Sequence, residues 1–305
     1  MHNDQQLARP RRVPKLLLRL PFFSKSNMPG FKLPLPNLQQ SFSSFQMHNS
    51  YFQRFSTSKK EELDKEFDKA YKKTLILLSR KDYSSALAQA EDLIKKLASM
   101  NYSDSGFPEI RKLVLALKYV TGDKETAINE IRKTLSSDYK NIKPEELDAL
   151  SLDTMASYLE ELDLDEQALD AALNAEKLFV KIAVASGSKE INPDIYEKIG
   201  DLCMKIEGEK LENALDYYTR CYKIHASHKP NSDTVRIYKK LAETNLYLGR
   251  TDEAANDALQ GITILEEQKT EDIETIAELY LIIGKANGDK IALENFLKVT
   301  NLYEK

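Results

Sequence analysis

YLGRTDEAANDAL, residues 247–259, is the stretch that decides the fold. An apolar run closes at Gly249, a short polar turn follows, and Ala254 and Ala258 then stand one helical turn apart. Glycine after an apolar helical run reads as a stop, because it enters the left-handed conformation without a Cβ penalty. Two small residues four apart on the next segment mark a helix face that approaches a neighbour closely. One such stretch is a helical elbow and nothing more. Its meaning depends on whether the chain repeats it.

Five further copies align on the Ala254 position. From Lys59 onward, apolar residues recur at helical spacing between short polar turns. SRKDYSSALAQAEDLIKKL places Ala86, KYVTGDKETAINEIRKTL places Ala127, and LEELDLDEQALDAALNAEKLF places Ala168. KIEGEKLENALDYYTRCYKI places Ala214, and KANGDKIALENFLKVTNL places Ala292. The intervals are 41, 41, 46, 40 and 38 residues, with about two extra turn residues at EGEKLENA. A period of this length means helix pairs stacked into a solenoid. One turn after each anchor comes a residue that fills the gap between the helices: Ala90, Ile131, Ala172, Tyr218, Ala258 and Phe296. Pro108, Pro144, Pro193 and Pro230 precede their anchors by 19 to 24 residues, where the first helix of a pair should begin.

This pattern resembles the tetratricopeptide repeat family over roughly residues 64–305. YKKLAETNLYLGRTDEAANDALQGI is the best copy, with Tyr238, Leu241, Ala242, Gly249, Ala254 and Ala258 on family positions; YEKIGDLC adds Tyr196, Ile199 and Gly200. The unit near 41 residues exceeds the family's standard 34 and resembles the kinesin-light-chain subclass, which also occurs in mitochondrial respiratory-chain assembly factors. Lys239 and Lys240 stand where that subclass often carries paired Asn, and the first repeat has no Gly at its turn. The resemblance implies an all-α solenoid of about six hairpins in a right-handed superhelix.

The first 55 residues are a different kind of chain. They carry eight Lys/Arg and one acid, net +7, and six of the ten prolines; the remaining 36 bases and 47 acids give −11. A basic, Ser-rich, acid-poor segment reads as a mitochondrial transit peptide. QRF-STS resembles a matrix-protease site, with cleavage between Phe55 and Ser56. Pro14 and Pro21 fit that reading poorly, since each interrupts a helix. The division expected is therefore a leader over 1–55 and a solenoid over 56–305. No run approaches the 20 or so apolar residues that a spanning helix needs, so membrane association would come through partners.

Chemistry-bearing motifs are not found. Gly-rich phosphate loops, GxSxG, HExxH and CxxC are all missing from the sequence. Cys203 and Cys221 read as small packed hydrophobes. His225 and His228 form HASH, too few ligands for zinc. Glu160 and Glu161 read as solvated charges. No catalytic residue, cofactor or metal is expected, and the chain reads as a non-enzyme.

The family resemblance implies a peptide groove lined by first helices, with Asp153, Ser157 and Glu160 in repeat three, Glu197 and Asp201 in repeat four, and Lys239 and Glu243 in repeat five. Acids at these places suit a basic or mixed ligand. A second candidate surface is the last helix, KIALENFLKVTNLYEK, where Leu293, Leu297, Leu302 and Tyr303 widen the apolar face toward a partner subunit or a second copy. The expectation is a protein-interaction scaffold in mitochondria, in the matrix or at the inner membrane, serving as a subunit or assembly factor of a large complex. Two alternatives stay open: a cytosolic adaptor of kinesin-light-chain type, and an organellar RNA-binding array. The net −11 of the body speaks against RNA, whose phosphates call for a basic surface.

Overall fold

A computed structural model describes residues 69–99, 108–139, 142–187, 191–268 and 272–288, with Glu294 and Leu297. Eleven helices and no strand occur among these residues. They are α1 (69–79), α2 (Tyr83–Ser99), α3 (Pro108–Val120), α4 (Lys124–Asp138), α5 (Pro144–Glu161), α6 (Asp165–Ser186), α7 (Pro193–Ile206), α8 (Leu211–His225), α9 (Ser232–Tyr247), α10 (Thr251–Glu267) and α11 (Ile273–Asn287). From α3 to α10 each odd helix packs on the even helix that follows it, and each of these hairpins packs on the next; α2 packs on α3 and α10 on α11. First helices also touch across repeats, as α3 does α5 and α9 does α11.

Each regular elbow is built the same way. A residue at positive φ ends the first helix: Lys81 (60°), Gly122 (107°), Asp163 (57°) and Gly249 (75°). The N–H of the following residue then returns to the carbonyl five back, Asp82 to Leu77, Asp123 to Lys118, Leu164 to Leu159 and Arg250 to Asn245, at 2.8–3.0 Å. This is the Schellman closure of a helix C-terminus. The carbonyl of that same residue next accepts the N–H of the anchor alanine: Asp82 from Ala86, Asp123 from Ala127, Leu164 from Ala168 and Arg250 from Ala254. One residue thus ends one helix and starts the next. The missing glycine of the first repeat is replaced by Lys81, which occupies the left-handed region at a cost of about 1–2 kcal/mol. The fourth elbow differs. Its extra length is taken up by a three-residue 3-10 turn, Gly208–Lys210, after Glu207 at φ 62°.

The anchors do what their size implies. Ala86, Ala127, Ala168, Ala214 and Ala254 are each 0% exposed. The gap-filling residues Ala90, Ile131, Ala172, Tyr218 and Ala258 are buried beside them. Ala292 and Phe296 of the sixth copy lie outside the described residues. Pro108, Pro144 and Pro193 open α3, α5 and α7. Pro230 departs from expectation, because α9 begins at Ser232. Asn231 caps that helix in a reciprocal box with Thr234, at 3.1 and 3.2 Å, and Pro230 precedes the cap. A capping side chain satisfies the helix start better than a residue with no donor.

One apolar core runs through the hairpins up to Ile237 and Leu241 of α9. A second gathers Val235 and Ala242 of α9 with residues of α10 and α11. Helix α9 is the wall between them. Among the described residues no helix is long and apolar enough to cross a membrane.

Candidate protein-binding face

The proposed groove residues do share one face, along the first helices α5, α7 and α9. All of them but Glu243 already have work there, because a residue of the next repeat reaches each one. Asp153 pairs with Lys198, whose ammonium also donates to Ser157 Oγ at 3.0 Å. Glu160 pairs with Lys205. Glu197 takes Arg236 at 2.9 Å and Lys240 at 2.8 Å. Asp201 accepts from Lys240 at 2.6 Å and from the Tyr218 hydroxyl at 2.6 Å. Lys239 pairs with Glu278 of α11. Lys112 of α3 meets Glu161 at 3.2 Å, so the ladder extends to hairpin two.

The electrostatics follow from this packing. Burial works to raise the Glu197 carboxyl, but the hydrogen bond and charge of Lys240, with Arg236, outweigh it and hold the group below its ordinary value. Burial likewise works against the Lys240 ammonium, and Asp201 and Glu197 overcome it, so the ammonium stays above its usual value. Tyr218 is pushed far up, first by burial and then by Asp201. Glu243 is the exception. Burial raises its carboxyl, Lys239 opposes that and Glu278 adds to it; it has no hydrogen bond or ion pair among the described residues.

The partners Lys198, Lys205, Arg236, Lys240 and Glu278 were not singled out for the groove from sequence. A signal for them existed: opposite charges separated by 39 to 45 residues, the length of one repeat. The face as built is a set of paired charges rather than an acidic surface, which changes what a ligand meets. A competitor for Asp153, Glu160, Glu197 or Asp201 must displace an internal lysine or arginine.

Of the C-terminal docking residues, Leu297 is helical and 56% exposed. Leu293, Leu302 and Tyr303 lie outside the described residues, as do Phe55 and Ser56 and the whole leader. Cys203 and Cys221 are both free and buried, on α7 and α8. His225 ends α8; with His228, Asn192, Asn231 and Asp233 it lines a hollow of about 450 Å³ beside the starts of α7 and α9. No group of three or more His, Cys, Asp or Glu stands close enough to hold a metal among the described residues.

The helices pair as hairpins, the elbow repeats, and a fully buried alanine stands at each of the five described crossings. The fold is a tetratricopeptide-type solenoid. No family model matches the chain, and no curated protein matches it. Among solved structures it is similar to BtubC (BKLC) from P. vanneervenii, at 14% identity over 79% of this chain and 91% of that one, with a TM-score of 0.49. It is similar to MamA at 20% identity, over 61% and 92%, with a TM-score of 0.40. It is also similar to the nearly identical TPR-like repeats of a Podosopora anserina putative kinesin light chain, at 12% identity, over 67% and 97%, with a TM-score of 0.37.

Proposed function

We propose that this chain is a non-catalytic protein-interaction scaffold of mitochondria, a subunit or assembly factor of a large inner-membrane or matrix complex. One observation carries the scaffold reading: the polar face of neighbouring first helices continues from α3 to α11, bound together by ion pairs from repeat to repeat. An extended, internally braced face suits a partner segment laid across several repeats. The mitochondrial address is supported by the +7 leader against a body of −11, since a cationic segment is drawn by an inside-negative membrane potential.

Import into isolated mitochondria tests the address. Potential-dependent protection from protease and a mature N-terminus at Ser56 are expected; retention of Met1 in the cytosol overturns it. A photo-crosslinking residue tests the face. Placed at Glu160, on the first helix of repeat three, it should capture the partner that co-purifies from mitochondria. Placed at Leu259, exposed on the second helix α10, it should not. Capture from Leu259 alone would move the binding surface to the second helices.

A further inference from the structure

Three successive contacts between first helices share one register. Asp153, Glu197 and Lys239 occupy equivalent positions on α5, α7 and α9. They reach Lys198, Lys240 and Glu278, which also occupy equivalent positions, each on the next first helix. The residue four further along, Ser157, Asp201 or Glu243, faces that same partner. Between α5 and α7, Lys198 donates to both Asp153 and Ser157. Between α7 and α9, Lys240 donates to both Glu197 and Asp201. Each of these rungs is one lysine held by two acceptors.

Between α9 and α11 the signs invert. Lys239 is now the base and Glu278 the acid, and they satisfy each other. Glu278 has nothing to donate to Glu243 and acts on it as a like charge. Hairpin four offers a second donor at this level, because the Tyr218 hydroxyl reaches Asp201. In hairpin five the position of Tyr218 is taken by Ala258, which has no donor. Lys240 is engaged with Glu197 and Asp201, and Lys285 acts on Glu243 without forming an ion pair among the described residues. Glu243 is therefore a half-buried carboxylate whose two equivalents are both hydrogen-bonded and which itself is not, among the described residues. The crevice is not an acidic patch, since Lys239 neutralises Glu278 and Lys285 adds a further positive charge; what Glu243 lacks is a bonded partner. A partly desolvated carboxylate without a partner is costly, and a cation that reaches it gains a charge-assisted bond.

We propose that Glu243 is the specificity-determining contact of the first-helix face: it receives the guanidinium or ammonium of an Arg or Lys side chain of the bound partner, which completes the third rung from outside the chain. This rests on the reading of the first helices as the binding face. Arginine fits best, because its planar fork grips a carboxylate through two parallel bonds.

The probe is an acetylated, amidated Ser-Ala-Arg-Ala-Ser peptide, with its citrulline twin, which keeps the shape and lacks the charge. Both are titrated into the full chain carrying ¹³C-labelled Glu carboxyls and followed by NMR. The Arg peptide should shift the Glu243 carboxyl and the neighbouring amides of α9 and α11, and the citrulline peptide should not. Glu243→Gln should weaken the Arg peptide at least about tenfold, or about 1.4 kcal/mol, while melting no lower than wild type. A second variant carries the argument separately. Lys239→Glu with Glu278→Lys gives Glu243 a base from within the chain, as in the two rungs before it, and should also lose the Arg peptide. Equal shifts from both peptides, no shift from either, or unchanged binding by Glu243→Gln overturns the proposal. Crosslinking at Glu160 does not involve Glu243, so that test of the face can succeed where this one fails.

Discussion

Hairpins three and four solve the same crossing in opposite ways. In hairpin three, Ala156 on α5 and Ala172 on α6 both stand fully buried, small against small. In hairpin four the equivalent positions are Gly200 and Tyr218. A Cβ on Gly200 would lie 2.4 Å from the Tyr218 ring, so the ring occupies the room that the first helix vacates. Close packing constrains the sum of the volumes at a crossing, not which helix supplies it. The choice still has a consequence. An alanine pair brings no polar atom inside, whereas Tyr218 brings a hydroxyl that must be satisfied, and Asp201 of the first-helix face satisfies it. Hairpin four therefore ties its core to the first-helix ladder, and hairpin three does not.

The largest effect should come from Tyr218→Ala, which empties the ring's space and leaves Asp201 one donor short. A loss of about 3–5 kcal/mol is expected from urea unfolding. Gly200→Ala should follow, at about 1–3 kcal/mol, because the added carbon meets a rigid buried ring. The double variant reproduces the alanine pair of hairpin three. It should cost less than the two single losses together by at least about 1 kcal/mol. Strict additivity would show that the two hairpins do not share one crossing geometry. Tyr218→Phe keeps the ring and removes only the hydroxyl. About 0.5–1.5 kcal/mol should be lost, and a neutral result would cut the proposed tie between core and face.

The smallest effect is a pH dependence at Glu197. Its carboxyl is held below the ordinary 4.5, so its stabilising contribution is present above that value and is lost as pH falls through the lower, folded value. The gap in unfolding midpoint between wild type and Glu197→Gln should therefore narrow between pH 6 and pH 3. A constant gap would mean that the pairing with Lys240 and Arg236 contributes nothing to the fold.

The sequence by itself determined the local events. Apolar spacing laid out the helices, Gly122 and Gly249 ended two of them, and an alanine recurring at one repeat's interval marked each crossing, because these features act within a few residues of themselves. Pro108, Pro144 and Pro193 located helix starts for the same reason, whereas at Pro230 the stronger cap of Asn231 took over. Lys81 and Asp163 could not be read as left-handed residues, since the elbow imposes that conformation and neither side chain announces it. Tertiary structure alone decided how the charges of the first-helix face are paired. Asp153, Glu160, Glu197 and Asp201 look like free acids along the chain. Only the register of one repeat on the next shows that Lys198, Lys205 and Lys240 neutralise them and that Glu243, in the same row, has no partner among the described residues. A charge's partner lies a whole repeat away, and its identity depends on helix position to within one residue.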